Sequence, residues 1–114
     1  MELNPDVVPA TVEEAITMLT AALSPEEWAT LRQSSPAEFH FSAGTQLRDF
    51  WSFWEEMTPL RNSFRKLGLS HPDDLSGYLL EYLCKTARDE PFDSDAYIKK
   101  VQNHWINTIG RAIP

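Results

Sequence analysis

Apolar positions along this chain recur three and four residues apart, the spacing of one face of a helix. Val12, Ile16, Leu19 and Leu23 form such a stripe and predict a helix over about 12–23. Trp28 and Leu31 anchor a shorter one over 25–33. Leu47, Phe50, Trp51, Trp54 and Met57 keep a 3.6-residue period and predict a third helix over 45–57. Leu60, Phe64 and Leu67 predict a fourth over 59–67, with Gly68 as its stop. The fifth covers 73–86, and a sixth covers 95–110 with Ile98, Val101, Trp105 and Ile109 inside. No segment alternates long enough for a strand. The nearest, Glu38-Phe39-His40-Phe41-Ser42, is too short to seed a sheet alone.

Polar positions mark where these helices begin. Thr11-Val12-Glu13-Glu14, Ser24-Pro25-Glu26-Glu27 and Ser35-Pro36-Ala37-Glu38 each place a hydroxyl three residues before a Glu, the reciprocal capping arrangement. Two of them add Pro at the first helical position, as does Thr58-Pro59. The third predicts only a turn of helix at 36–39.

The fifth helix is apolar on two sides. Tyr78, Leu79 and Tyr82 lie on one, and Gly77, Leu80 and Cys84 on the other. A helix of this kind is buried on both sides. The expected fold is therefore all-α, a compact bundle of five to six short helices with helix 73–86 central and Gly77 admitting a close neighbour. Trp51, Trp54, Leu79 and Trp105 are expected inside it. Residues 1–9, with two prolines, read as a flexible arm, and 10–114 as a single helical domain.

Composition narrows the function. The chain has 114 residues and a net charge of −7. Residues 1–60 hold ten acids against two bases, and residues 61–114 hold seven acids against eight bases. Neither nucleic acid nor an anionic membrane surface suits so acidic a chain, whereas a basic protein partner does. No apolar run reaches the ~20 residues of a membrane helix, and the N-terminus has no signal-peptide pattern. Cys84 is the single cysteine, which fits a reducing, cytoplasmic setting and a packing role.

Few residues are candidates for chemistry. Glu13, Glu14, Glu26, Glu27 and Glu38 sit in first turns, where they complement the helix dipole. Glu55 and Glu56 fall at the end of the third helix, where the dipole opposes them, so a basic partner or Arg61 or Arg65 is expected nearby. His71, Asp73 and Asp74 together resemble a metal or acid–base cluster, but also a helix start with His71 as cap. Arg48 lies off the aromatic stripe, suited either to an anionic ligand or to a two-bonded grip on Asp73 or Asp74. Phe53 and Ile106 are apolar residues left off the inner stripes. Glycine-rich phosphate loops, nucleophile elbows and paired cysteines are missing from the sequence. The Arg65 to His71 spacing of some helical ribonucleases is interrupted by Gly68 and Pro72.

Two stretches carry a resemblance. Leu47-Arg48-Asp49-Phe50-Trp51-Ser52-Phe53-Trp54 resembles a Leu-Arg-Asn-x-Trp-x-Leu-Trp signature, with Asp49 in place of Asn and Phe53 in place of Leu. His71-Pro72-Asp73-Asp74-Leu75-Ser76-Gly77 resembles a His-Pro-Asp-Asp-Met-Ser-Gly signature. Both belong to a family of short bacterial domains of unknown function, and an opening like Thr11-Val12-Glu13-Glu14-Ala15 is typical of it. The resemblance covers about residues 9–84 and implies a bacterial, helical protein without implying an activity.

The functional expectation is a non-enzymatic protein-binding module, in its specific form an immunity or antitoxin-type inhibitor of a basic toxin. Glu55, Glu56, Phe53 and Ile106 are its partner-facing candidates. One alternative is a small ligand- or metal-binding domain or enzyme using Arg48, His71, Asp73 and Asp74. Another is a structural homo-oligomer. No cofactor and no resident metal are implied.

Overall fold

Capping residues set the outline of the molecule. The computed structural model describes residues 2–4 and 6–109. Helix α1, Val12–Ala22, starts on Thr11, whose hydroxyl accepts the Glu14 amide at 3.1 Å. Helix α2, Pro25–Gln33, starts on a reciprocal box: Ser24 Oγ accepts from Glu27 N (3.2 Å) and Glu27 Oε1 from Ser24 N (3.0 Å). A 3-10 turn follows at Pro36–Phe39, with Glu38 Oε2 accepting from Ser35 N at 2.8 Å. Helix α3 is Ala43–Phe50 and helix α4 is Pro59–Leu67. Thr58 caps α4 by accepting from Arg61 N at 3.2 Å. Gly68, at φ +96°, closes it in a conformation that favours glycine, and Leu69 N reaches back to Phe64 O at 3.1 Å. Helix α5 is Pro72–Ala87 and helix α6 is Ser94–Ile109. No strand occurs among the described residues, and the fold is all-α.

Helix α5 is the centre. It packs against α2, α3 and the 3-10 turn, while α1 packs on α4. Leu75, Leu79 and Leu83 are buried on it, and so are Leu80 and Cys84, so the two-sided apolar pattern corresponds to two-sided burial. Crossed arginine bonds tie the ends of α2 and α5 together: Arg32 Nε donates to Ala87 O (3.0 Å) and Arg88 Nε to Arg32 O (3.2 Å). In the N-terminal segment, Leu3 packs half-buried against the core and Pro9 is buried. Helix α6 buries Tyr97 and Val101, with Ile98 and Trp105 half-buried. The fourth expected inner position, Ile109, has a side chain outside the described set.

The third helix departs from expectation. It stops at Phe50, not at 57. Trp51 N still bonds Leu47 O, but Ser52 turns to φ +54° and Phe53 N bonds Arg48 O. Past that turn the helical period no longer decides which residue points inward. Phe53 enters the core at 0% exposure, its ring edge-on to Trp51 and Phe64 at 6.4 and 6.0 Å between centroids. Trp54 is thrown outward at 61% exposure and Met57 at 82%. Trp54 is therefore not a core residue, and Phe53 is not a surface candidate. Trp51 and Leu79 are buried as the periodicity predicts.

Candidate functional site

Arg48 leaves α3 toward the start of α5 and is buried there. Its Nη1 donates to Ser76 Oγ (2.8 Å), and its Nη2 donates to His40 O (2.9 Å) and Thr45 Oγ1 (3.0 Å). Gly44 makes the room, since a Cβ there would stand 2.9 Å from Nη1. Arg48 Nε lies 3.6 Å from Asp73 Oδ1. That is an ion pair at longer than hydrogen-bond length, not the two-bonded grip expected of it. The other donors go to α5, the 3-10 segment and α3 itself, so Arg48 joins three elements.

His71 caps α5, its Nδ1 accepting from Asp73 N at 3.1 Å. Its ring sits between two indoles, with centroids 6.4 Å from Trp54 and 5.2 Å from Trp105. Asp74 turns the other way from Asp73. Its Oδ2 accepts from Trp105 Nε1 at 2.8 Å. Burial raises the Asp74 carboxyl above its ordinary value, opposed in part by the Trp105 bond and by His71. Thus Arg48, His71, Asp73 and Asp74 come together, yet each already carries a bond or ion pair inside the fold. No group of three or more His, Cys, Asp and Glu side chains placed to hold a metal occurs among the described residues.

The loop between α3 and α4 is fixed by a residue the sequence did not single out as buried. Arg61 is buried on α4, and its Nη1 donates to Phe53 O (2.6 Å) and more weakly to Glu55 O (3.4 Å). Its Nη2 donates to Ser70 O. Burial lowers the Arg61 pKa, Arg65 lowers it further and Glu56 opposes them. Glu55 and Glu56 are exposed in this loop and not on a helix end, so no helix dipole opposes them. The main-chain carbonyl of Glu55, rather than its carboxylate, meets Arg61. Thr58 capping is visible in the sequence, but the inward turn of a capped helix's Arg61 is not.

These anchors leave an apolar surface on a held loop. Trp54 and Met57 stand out from it, and Phe50 borders it at the end of α3. Glu55 and Glu56 lie between Trp54 and Met57 in sequence. Ile106 is 47% exposed on α6, next in sequence to the Trp105 that meets His71. A separate groove of about 540 Å³ opens between α2, the 3-10 turn, α3 and α5, lined largely by Leu23, Leu31, Phe39, Leu80 and Leu83. Cys84 is buried, and burial raises its thiol pKa, which opposes a nucleophilic role. No helix among the described residues is long and apolar enough to cross a membrane.

Neither a curated protein nor a solved structure matches the chain. A family described as Domain of unknown function (DUF6794) matches residues 8–86, from just before α1 to the last turn of α5. That span holds Arg48, Arg61, His71, the exposed loop and the central helix, and leaves α6 beyond it. On a match over most of its length, the chain belongs to the DUF6794 family.

Proposed function

We propose that this protein is a non-enzymatic protein-binding module of a bacterial cytoplasm, acting as an immunity or antitoxin-type inhibitor that covers a basic partner. The observation that carries the reading is the loop between α3 and α4, where Trp54 and Met57 project beside two exposed carboxylates. Exposed indole and thioether side chains are the usual anchors of protein interfaces. Here they stand on a loop that Arg61 holds by the carbonyls of Phe53 and Glu55, so little ordering cost is left for binding. The flanking Glu55 and Glu56, on a chain of net charge −7, favour a basic partner and faster encounter. In this reading Arg48, His71, Asp73 and Asp74 belong to the scaffold and not to a ligand site.

The test pairs capture with kinetics. The native chain is used to capture a partner from its host, with Trp54→Ala/Met57→Ala as the paired control, and the partner is then purified. The double reversal Glu55→Lys/Glu56→Lys should slow association about tenfold or more and change dissociation little, and added salt should weaken native binding. An affinity unchanged by both double variants removes the proposal.

A further inference from the structure

Helices α2 and α3 each pack on α5 and make little contact with one another. The groove of about 540 Å³ opens between them over Leu80 and Leu83 of α5. Leu23 and Leu31 line it from the side of α2, and Phe39 and Ala43 from the side of the 3-10 turn and α3. Its two walls are pinned to α5 independently of anything inside it. Arg32 of α2 donates to Ala87 O, and Arg48 of α3 donates to Ser76 Oγ. The groove is therefore formed in advance, and its size falls within the roughly 300–1,000 Å³ of small-molecule sites.

Two further features narrow the occupant. The apolar surface is recessed, since Leu31, Leu80 and Leu83 keep only 5%, 3% and 2% exposure, and none of the lining residues is among the large exposed hydrophobics. A thin aliphatic chain reaches such a floor, whereas a partner helix would rest on the polar rim. That rim has one sign of charge. Glu26 is exposed on it, and Glu27 is half-buried with its carboxylate held by the Ser24 amide. Thr30 and Gln46 add neutral acceptors. No Lys, Arg or His lies among the described residues that line the groove. A fatty acid would meet like charge there and an ammonium group opposite charge.

We infer that the groove between α2, the 3-10 turn, α3 and α5 is a binding site for a small amphiphilic amine, whose aliphatic chain lies along Leu31, Leu80 and Leu83 and whose ammonium group donates to Glu26 and Glu27. The site goes beyond the docking loop between α3 and α4 and shares no residue with it, so either can fail alone.

The test titrates the full chain calorimetrically with decylamine, decanol and decanoate at pH 7 and about 0.15 M salt, where exposed charges beyond the site are screened. Decylamine should bind one to one and about tenfold or more tighter than either competitor, as hydrogen bonds to charged groups warrant. In Glu26→Gln/Glu27→Gln, which keeps a side chain able to complete the capping box, decylamine should lose that advantage over decanol. Ala43→Leu should narrow the groove and weaken decylamine by about tenfold or more. Should that variant not fold, Thr30→Trp at the exposed rim carries the same expected loss. Trp54→Ala/Met57→Ala should bind decylamine as the native chain does. Several amines bound per chain, decanoate bound as tightly as decylamine, an advantage over decanol that survives the loss of both carboxylates, or affinity unchanged by a folded blocking variant would each overturn the inference.

Discussion

Arg48 and Arg61 are both buried, and they place their donors differently. Arg48 bonds a hydroxyl of α5, a carbonyl of the 3-10 segment and a hydroxyl of its own helix, with Asp73 only at ion-pair distance. Removing it leaves buried acceptors unpaired, so Arg48→Ala should cost about 3 kcal/mol in denaturant unfolding. Asp73 is nearly half exposed. The coupling of Arg48 to Asp73 in a double-mutant cycle should therefore stay under about 1 kcal/mol. A coupling as large as the single-mutant cost would mean that the carboxylate, not Ser76 and His40, holds the guanidinium. The aromatic pair gives the sharper contrast. Phe53→Ala should cost ~3–5 kcal/mol as a core truncation, and Trp54→Ala less than about 1 kcal/mol. Helical periodicity assigns those two costs the other way round. It fails at this point because Ser52, at φ +54°, ends the helix with no glycine or proline to announce it.

At the scale of elements, what is legible is what local chemistry decides. Hydroxyl–Glu pairs and Pro at the first turn place α1, α2, the 3-10 turn and α4 within a residue or two, because caps are local bonds. Ser24→Ala, which removes half of a reciprocal box, should lower stability by ~1 kcal/mol in thermal or denaturant unfolding. Gly68→Ala should cost at least as much, since any side chain is strained at its φ of +96°. A neutral result at either position would show that the observed cap contributes nothing. The end of α3 was not legible, because a long-range bond decides it. Arg61 reaches across from α4 to the carbonyls of Phe53 and Glu55, and no pattern within 45–57 encodes that partner. The centrality of α5 was legible from its two apolar faces, and Gly77 from the need for one close neighbour. That Tyr97 would be that neighbour was not, since the sequence does not say which turn of α6 lies over Gly77.

At the scale of the molecule, charge and docking meet at Asp74. Its folded pKa lies above its ordinary value of 3.8, so the folded state holds its proton more tightly than the unfolded state does. Stability should accordingly fall as pH rises from that ordinary value through the folded pKa. Asp74→Asn keeps an acceptor for Trp105 Nε1 and removes the titration. Its melting temperature should exceed that of the native chain at pH 7, with the gap closing below about pH 4, near the ordinary carboxylate value. A gap that widens on acidification would mean that the ionised carboxylate is favoured in the fold. The same carboxylate connects α6 to a surface whose other members are His71, Trp54 and the acidic loop. Docking of a partner on this loop, as proposed above, is read by oxidative footprinting of the captured complex. Trp54 and Met57 are the exposed, oxidisable side chains of the loop. Protection of both in the complex, by at least fivefold relative to the free chain, is the predicted result. A partner bound with Trp54 and Met57 as reactive as before would contradict it.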